Sequence, residues 1–181
     1  MPQIEIRPSL VSDLDQLLAL ERDYITQYVC QIEIEENGDD EIQTIRLRRV
    51  RLPRLVRVEY PRNRQQLLDE WTNSAGLLVA GQGEQIVGYV AFCLQKAPCS
   101  VWITDLVVGR PLRRQGIARA LVLAVEEWAL AKEQQRLVLE MQSRNDPAIQ
   151  MAKKFGFEFC GFQEAYYPNG DVALFFARSI R

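Results

Sequence analysis

Residues 104–118, TDLVVGRPLRRQGIA, carry a spacing suited to binding phosphate. An Arg-x-x-Gly-x-Ala turn, made by Arg113, Gly116 and Ala118, separates an apolar run that breaks at Gly109 and Pro111 from an apolar periodicity that begins after Gln115. The first amides of a helix lack intrahelical acceptors and sit at the positive end of its dipole. Gln115, Gly116, Ile117, Ala118 and Arg119 are therefore placed to donate backbone hydrogen bonds to a pyrophosphate. Gly116 and Ala118 keep side chains out of the way, and Arg113 and Arg114 add positive charge beside those amides. Cations at that end of a helix are mildly unfavourable, so two adjacent arginines point to an anion that offsets them; the plainer alternative is a solvated basic turn. A second kind of chemistry is suggested by Asp105 and Glu140, carboxylates inside otherwise apolar strands. Each either touches a substrate, pairs with an arginine or faces solvent on an edge. The chain has no histidine. That excludes Ser-His-Asp and Cys-His catalysis and His-based metal sites, and it leaves proton transfer to a carboxylate, a tyrosine or water. Tyr166 and Tyr167, in a polar loop, either serve that purpose or line an apolar pocket.

The elements that position these residues follow from periodicity. Residues 101–108 have the β-branched and aromatic content of a buried strand, and Ile117, Leu121, Ala124, Val125 and Trp128 fall at helical spacing. Upstream, 3–7 alternates like a short strand and 9–20 reads as a helix capped at Ser9 or Ser12, with 23–29 extending it or forming a second helix. An acidic segment (Glu33, Glu35, Glu36, Asp39, Asp40, Glu41) surrounds Asn37-Gly38 and is followed by Arg46, Arg48, Arg49, Arg51, Arg54 and Arg57. Asn-Gly between alternating segments signals a hairpin, so an acidic strand turns back on a basic one, with exposed ion pairs that are individually weak. A short helix is expected over 62–72, a hairpin of 77–80 with 85–94, a strand at 137–141, a helix at 146–155 and strands at 158–164 and 172–177. Gly81-Gln82-Gly83 reads as the turn of that hairpin, since it opens no helix and lacks a third glycine.

The string 106–121 resembles motif A of the GNAT-type N-acetyltransferases. Residues 137–162, LVLEMQSRNDPAIQMAKKFGFEFCGF, resemble motif B, with a Glu-bearing strand, an Asn-x-x-Ala helix start at Asn145 and a Gly-Phe before the next strand. Two matches in order are far more specific than either alone. The resemblance implies an α/β (α+β) fold: one GNAT domain over 1–181, a mixed, largely antiparallel twisted sheet flanked by helices, with a charged hairpin-like insertion around 30–60. It implies acetyl-CoA as cofactor, with its pyrophosphate on residues 113–119 and Asn145 also on the cofactor side. Its pantetheine arm would lie along the main chain of Leu106, Val107 and Val108, where a backbone amide at a bulge polarises the carbonyl. It further implies acetyl transfer to a primary amine. An amine of pKa about 10.4 arrives protonated, which makes Asp105 and Glu140 candidate ammonium binders or bases acting through water. Tyr166 and Tyr167 become candidate acids for the leaving thiolate, because the tyrosine usual seven residues after the motif B asparagine is here Ala152. Residues 160–179 resemble the end of streptothricin acetyltransferases, which implies a small cationic molecule or antibiotic as acceptor. A protein N-terminus or lysine, and a catalytically silent acyl-CoA-binding domain, are the alternatives.

Composition agrees with this reading. A chain of 181 residues, 48% of them hydrophobic, is long enough for one sizeable core, and no stretch approaches a membrane span, so a cytoplasmic protein is expected. Cys30, Cys93, Cys99 and Cys160 have no metal-ligand spacing, so no metal is expected. Eight arginines between Arg46 and Arg64 would suit nucleic acid, but the net charge of -2 and the neighbouring acidic strand argue against it. The expected partner is a small-molecule amine, with no nucleic acid, no membrane, and a homodimer compatible with the reading.

Overall fold

The structure, a computed structural model, describes residues 4–37, 42–63, 65–66, 68–69, 76–95 and 99–181. Besides helical residues at 65–66 and 68–69, the elements are β1 Glu5–Pro8, α1 Leu14–Ala19, β2 Tyr24–Asn37, β3 Ile42–Val58, β4 Gly76–Gln82, β5 Gln85–Gln95, β6 Ser100–Val108, α2 Ile117–Ala131, β7 Arg136–Gln142, α3 Asp146–Lys154, β8 Glu158–Gln163 and β9 Ala173–Ser179. Seven strands form one sheet in the order β1-β4-β5-β6-β7-β9-β8, and β2 and β3 form a separate ribbon. All neighbours are antiparallel except β6 and β7, which are joined through α2. The mixed, largely antiparallel sheet agrees with the expected fold.

Two periodicities place the core. Along α2, Ile117, Leu121, Val122, Val125 and Ala129 are buried, and Trp128 meets Phe92 of β5 edge to face at 4.8 Å between centroids. On α3, Ile149 and Ala152 are buried, and both helices pack with Ile103, Leu139 and Met141 on one face of the sheet. Leu17 of α1 packs with Val79, Tyr89, Ala91 and Val107 on the opposite face.

The charged hairpin is present but longer than 30–60. Of residues 23–29, read as a helix, all but Asp23 belong to β2, because Tyr24 and Thr26 point inward while Ile25 stays exposed, a period of two. The acidic strand does face the basic one: Glu35 pairs with Arg46 and Glu33 with Arg48. Arg49 instead leaves the ribbon for Asp146 at the start of α3 and lies 3.6 Å from the centroid of the Tyr28 ring. Arg57 pairs with Glu21 and Asp23. These pairings occupy much of the arginine stripe that would otherwise attract nucleic acid. Gly38 of the expected Asn-Gly turn, the acidic residues Asp39, Asp40 and Glu41, and residues 64, 67 and 70–72 of the short helix expected over 62–72 lie outside the described residues; of the rest of that segment, 65–66 and 68–69 are helical.

The first helix begins later than its sequence suggests. A 3-10 turn over Val11–Asp13 precedes α1, and the acid at its end, rather than Ser9 or Ser12, organises the start. Asp13 accepts two hydrogen bonds from Arg7 at 2.7 and 2.8 Å and one from the Leu10 amide at 2.7 Å. The Arg7 hydrogen bond holds its carboxyl below the usual carboxylate range against the opposing effect of burial. Asp13→Ala is expected to cost about 2 kcal/mol in urea unfolding at neutral pH. A depressed folded pKa contributes stability above the unfolded pKa and loses it as pH falls, so the gap between the two proteins should narrow towards about pH 3. An unchanged gap at acid pH would assign the cost to packing instead.

Candidate active site

The site begins with a failure of strand pairing. β6 and β7 share a register only from Ser100↔Arg136 to Ile103↔Leu139, although β6 continues to Val108 and β7 to Gln142. On the other side β6 stays paired with β5, but its register shifts, with Phe92 opposite Ile103 and Ala91 opposite Asp105. Thr104 is therefore the extra residue of a bulge, which bends the strand and re-aims the side chains after it. The resemblance placed such a bulge at residues 106–108; the structure puts it just before Asp105. After it, Leu106 packs with the α2 and α3 face, whereas Val107 packs with the α1 face. The two strands diverge into an open V with Asp105 on one arm and Glu140 on the other.

A closed polar cluster joins the two arms. The Tyr60 hydroxyl donates to Asp105, and Arg62 donates through Nη1 to the Thr104 carbonyl and through Nη2 to Glu140 Oε1. Arg62 Nη1 also lies 3.5 Å from Asp105 Oδ1. The Tyr166 hydroxyl donates to Glu140 Oε2 at 2.9 Å, and the Arg62 guanidinium stands 5.8 Å from the Tyr167 ring centroid. The Asp105 and Glu140 side chains are each 1% exposed, and that of Arg62 is 12%. Burial pushes the Glu140 pKa up, and the charge of Arg62 with the two hydrogen bonds only partly offsets this. Burial, and next the Glu140 charge, also raises both loop tyrosines. Tyr60 is raised by burial first and then by Asp105. All three phenols therefore stay protonated near neutral pH as hydrogen-bond donors.

The loop that carries the tyrosines is anchored from beneath. Tyr24 donates to Gln142 Oε1 at 2.8 Å, Gln142 donates to Asp171 at 2.7 Å, and the Asp171 carbonyl accepts the amides of Tyr166 and Tyr167. An open groove of about 550 Å³, lined by Glu21, Arg22, Asp23, Glu59, Tyr60 and Arg62, runs up to the cluster.

At the other end of β6 the phosphate turn takes a defined shape. Arg114 has φ 65° and Gly116 φ 87°, and Gly116 is the N-cap of α2 with no side-chain cap. The leading amides of a 15-residue helix therefore face outward uncapped, and a Cβ on Gly116 would meet nothing within 4 Å. Arg114, Gln115 and Arg119 are exposed around that turn, while Ile117 is buried and Ala118 partly so. This cradle fits a pyrophosphate held by the amides of 115–119.

Two residues read from sequence as cofactor contacts have other tasks for their side chains. Arg113 donates to the carbonyls of Val108 at 2.9 Å and of Asp23 and Glu21 at 3.0 Å each, so its guanidinium staples the end of β6 to the start of β2. One further N–H remains on each of Nη1 and Nη2. Asn145 is the N-cap of α3, accepting the Ala148 amide at 3.1 Å. The carbonyls of Thr104 and Val108 are taken by Arg62 and Arg113, and the main chain of Leu106 and Val107 lies between them. Tyr166, expected to protonate a thiolate or line a pocket, donates its hydroxyl to Glu140, and Tyr167 is buried beside it. Ala152 is completely buried, so α3 offers no hydroxyl at that position. Among the described residues there is no group of three potential metal ligands, and no helix is long and apolar enough to cross a membrane.

Known proteins match this architecture. The family model for the acetyltransferase (GNAT) family matches residues 42–157, more than half of the chain. The chain belongs to the GNAT acetyltransferase family. Acetyl-CoA is the acyl donor of GNAT proteins. A streptothricin acetyltransferase of Streptomyces lavendulae is 28% identical over 110 residues, 59% of this chain and 58% of that one. A proposed ribosomal protein bS18 alanine N-acetyltransferase of Bacillus subtilis strain 168 is 32% identical over 84 residues, 42% of this chain and 56% of that one. The chain thus spans a little over half the length of the curated relatives it matches. Among solved GNAT folds, a nourseothricin acetyltransferase superposes with TM-score 0.81 at 23% identity, covering 98% of this chain and 99% of its own. A proposed streptothricin acetyltransferase from Bacillus anthracis strain Ames, solved with acetyl coenzyme A, superposes with TM-score 0.77 at 19% identity, covering 98% and 100%. At these identities the two structures speak for the GNAT fold alone.

Tyr60 and Arg62 are the members of the site that sequence reasoning missed. Both stand in view at Tyr60-Pro61-Arg62, but by type and spacing the arginine reads as one more member of a charge run. No local spacing links it to carboxylates 43 and 78 positions downstream.

Proposed function

We propose that this protein transfers the acetyl group of acetyl-CoA to a primary amine of a small cationic molecule, with antibiotics of the streptothricin kind among the candidates. The buried Asp105–Glu140 pair at the open V of the sheet carries this reading, because two carboxylates in a pocket select an ammonium group. The relatedness to a streptothricin acetyltransferase supports it.

Acetyl-CoA, when bound, supplies the thioester acyl carbon. The amides of Gln115, Gly116, Ile117, Ala118 and Arg119 would hold its pyrophosphate, and the main chain of Leu106 and Val107 would lie along its arm. Glu140 takes the proton from the ammonium group of the acceptor. Its raised pKa narrows the gap to an amine, and Tyr166 fixes the oxygen that receives the proton. Asp105, held by Tyr60, contributes negative charge that attracts the ammonium group. No side chain of α3 stands ready to protonate the leaving sulfur, since Ala152 is buried and Lys153 and Lys154 face solvent; water takes that role.

The test is thiol release from acetyl-CoA with streptothricin, aminoglycosides, polyamines, and peptides beginning with alanine or carrying lysine. Turnover with the small cations is the expected result. Turnover confined to peptides would favour the second reading, protein acetylation, for which the match to a bS18 alanine N-acetyltransferase speaks. Tight acetyl-CoA binding by calorimetry with no turnover in any arm would make this a silent acyl-CoA-binding domain.

A further inference from the structure

The two carboxylates assigned to the acceptor are sealed. Each side chain is 1% exposed, and the guanidinium of Arg62 lies over both, bonded to Glu140 and to the Thr104 carbonyl and 3.5 Å from Asp105, with Tyr60 and Tyr166 on the same two acids. No acceptor reaches either carboxylate while Arg62 stays where it is. We propose that Arg62 is a resident counter-cation occupying the acceptor subsite, and that the acceptor enters by replacing it with a cationic group of its own. The inference rests on the acetyl-transfer reading for the identity of the ligand.

Three observations support it. Two carboxylates out of water need their charge offset, since an uncompensated charge there is strongly destabilising; short of protonating one of them, another cation must stand in for Arg62. The carriers of the subsite are fixed independently of Arg62: Tyr60 binds Asp105 and Tyr166 binds Glu140, so both acids keep a hydrogen bond when the guanidinium leaves. Arg62 also has somewhere to go. It lines the open groove with Glu59, beside Glu21 and Asp23 that already pair with Arg57, and it belongs to the segment after β3 that has no regular structure at Pro61, Arg62 and Asn63. A neutral acceptor of the same shape would gain nothing from this exchange, so the subsite selects guanidinium or ammonium groups by charge.

The test uses the full chain, with methylguanidine as the cation, methylurea as its neutral isostere, and calorimetry and thermal unfolding as readouts. Arg62→Ala should bind methylguanidine on the order of 100-fold more tightly than the wild-type protein does, because the wild-type site is already filled. Methylguanidine should also restore the thermal midpoint that Arg62→Ala loses, and methylurea should do neither. Arg62→Lys keeps a positive charge for folding but bonds through a compact ammonium group, so methylguanidine should bind it more tightly than wild type and less tightly than Arg62→Ala. If neither variant gains affinity for methylguanidine, or methylurea serves as well, Arg62 is a structural tie and the counter-cation role is overturned. Acetyl-CoA binding by the same variants reports separately on the underlying reading. Cation affinity gained in a chain that binds no acetyl-CoA would sink acetyl transfer, and the acceptor assignment with it; acetyl-CoA bound with no gain in cation affinity would sink only the role given to Arg62.

Discussion

Gly116→Glu should abolish acetyl-CoA binding: calorimetry is expected to show a loss of at least about 100-fold in affinity, equivalent to about 3 kcal/mol, with the circular dichroism spectrum unchanged. Two effects act together. The residue sits at φ 87°, where a side chain costs on the order of 1–2 kcal/mol, and the new carboxylate stands where the amides of Ile117, Ala118 and Arg119 would receive phosphate oxygens. The open space around the missing Cβ means that no packing is lost, so the effect should fall on the ligand and not on the fold. Gly116→Asn is the matched control, since asparagine tolerates positive φ and adds no charge; it should retain most of the affinity. Equal loss in both variants would assign the effect to backbone strain, and retained affinity in Gly116→Glu would place the pyrophosphate elsewhere.

Glu140→Gln should lower turnover by about 10²–10⁴-fold at neutral pH while leaving acetyl-CoA binding within a few-fold, the range expected for loss of a positioned base. The substituted amide would keep the shape and the Tyr166 hydrogen bond but accept no proton, and it would leave Arg62 with Asp105 as its charged partner. The pH profile distinguishes a base from a mere tie. Burial raises the pKa of Glu140, and a base works only when deprotonated, so wild-type activity should rise as pH climbs through that raised value. In Glu140→Gln this limb should vanish, leaving only the dependence on free amine at higher pH. A profile that keeps its shape at lower height would mark Glu140 as a positioning residue. The same shift has a sign for stability: an acid whose folded pKa is raised favours folding below its unfolded pKa and loses that contribution as pH rises through the folded value. The site should therefore grow less stable as pH rises through that raised value, over the same range in which a base at Glu140 would become competent.

Much of this was legible before any fold was known. The turn at Arg113, Gly116 and Ala118 announces itself because its elements are contiguous: strand, glycine, helix start. Periodicity located β4 to β9 and α2 and α3 to within a few residues, since each buries one face at its own period. Asp105 and Glu140 stood out as charges in apolar strands, and they do belong to one cluster. Tyr24 to Val29 was misread because alternation so close to a short helix resembles a helical continuation, and only pairing with Thr26↔Val56 and its neighbours decides it. Arg113 illustrates a different limit. Its place in the turn is legible, but sequence carries no information about which carbonyls its guanidinium reaches, and three lie within 3.0 Å.

The sequence by itself determined the makings of the proposed donor half: a glycine turn ahead of an amphipathic helix, no histidine to act as base, and an alanine where the resemblance leads one to expect a tyrosine. These are local facts, set by residue type and by spacing within a few turns of chain. Tertiary structure alone decided the proposed acceptor half. It placed the bulge at Thr104, let β6 and β7 part after Ile103 and Leu139, and laid Arg62 across the gap onto Asp105 and Glu140. The physical reason is that the compensation of buried charge acts through space, between residues whose separation along the chain is set by the fold and not by any motif.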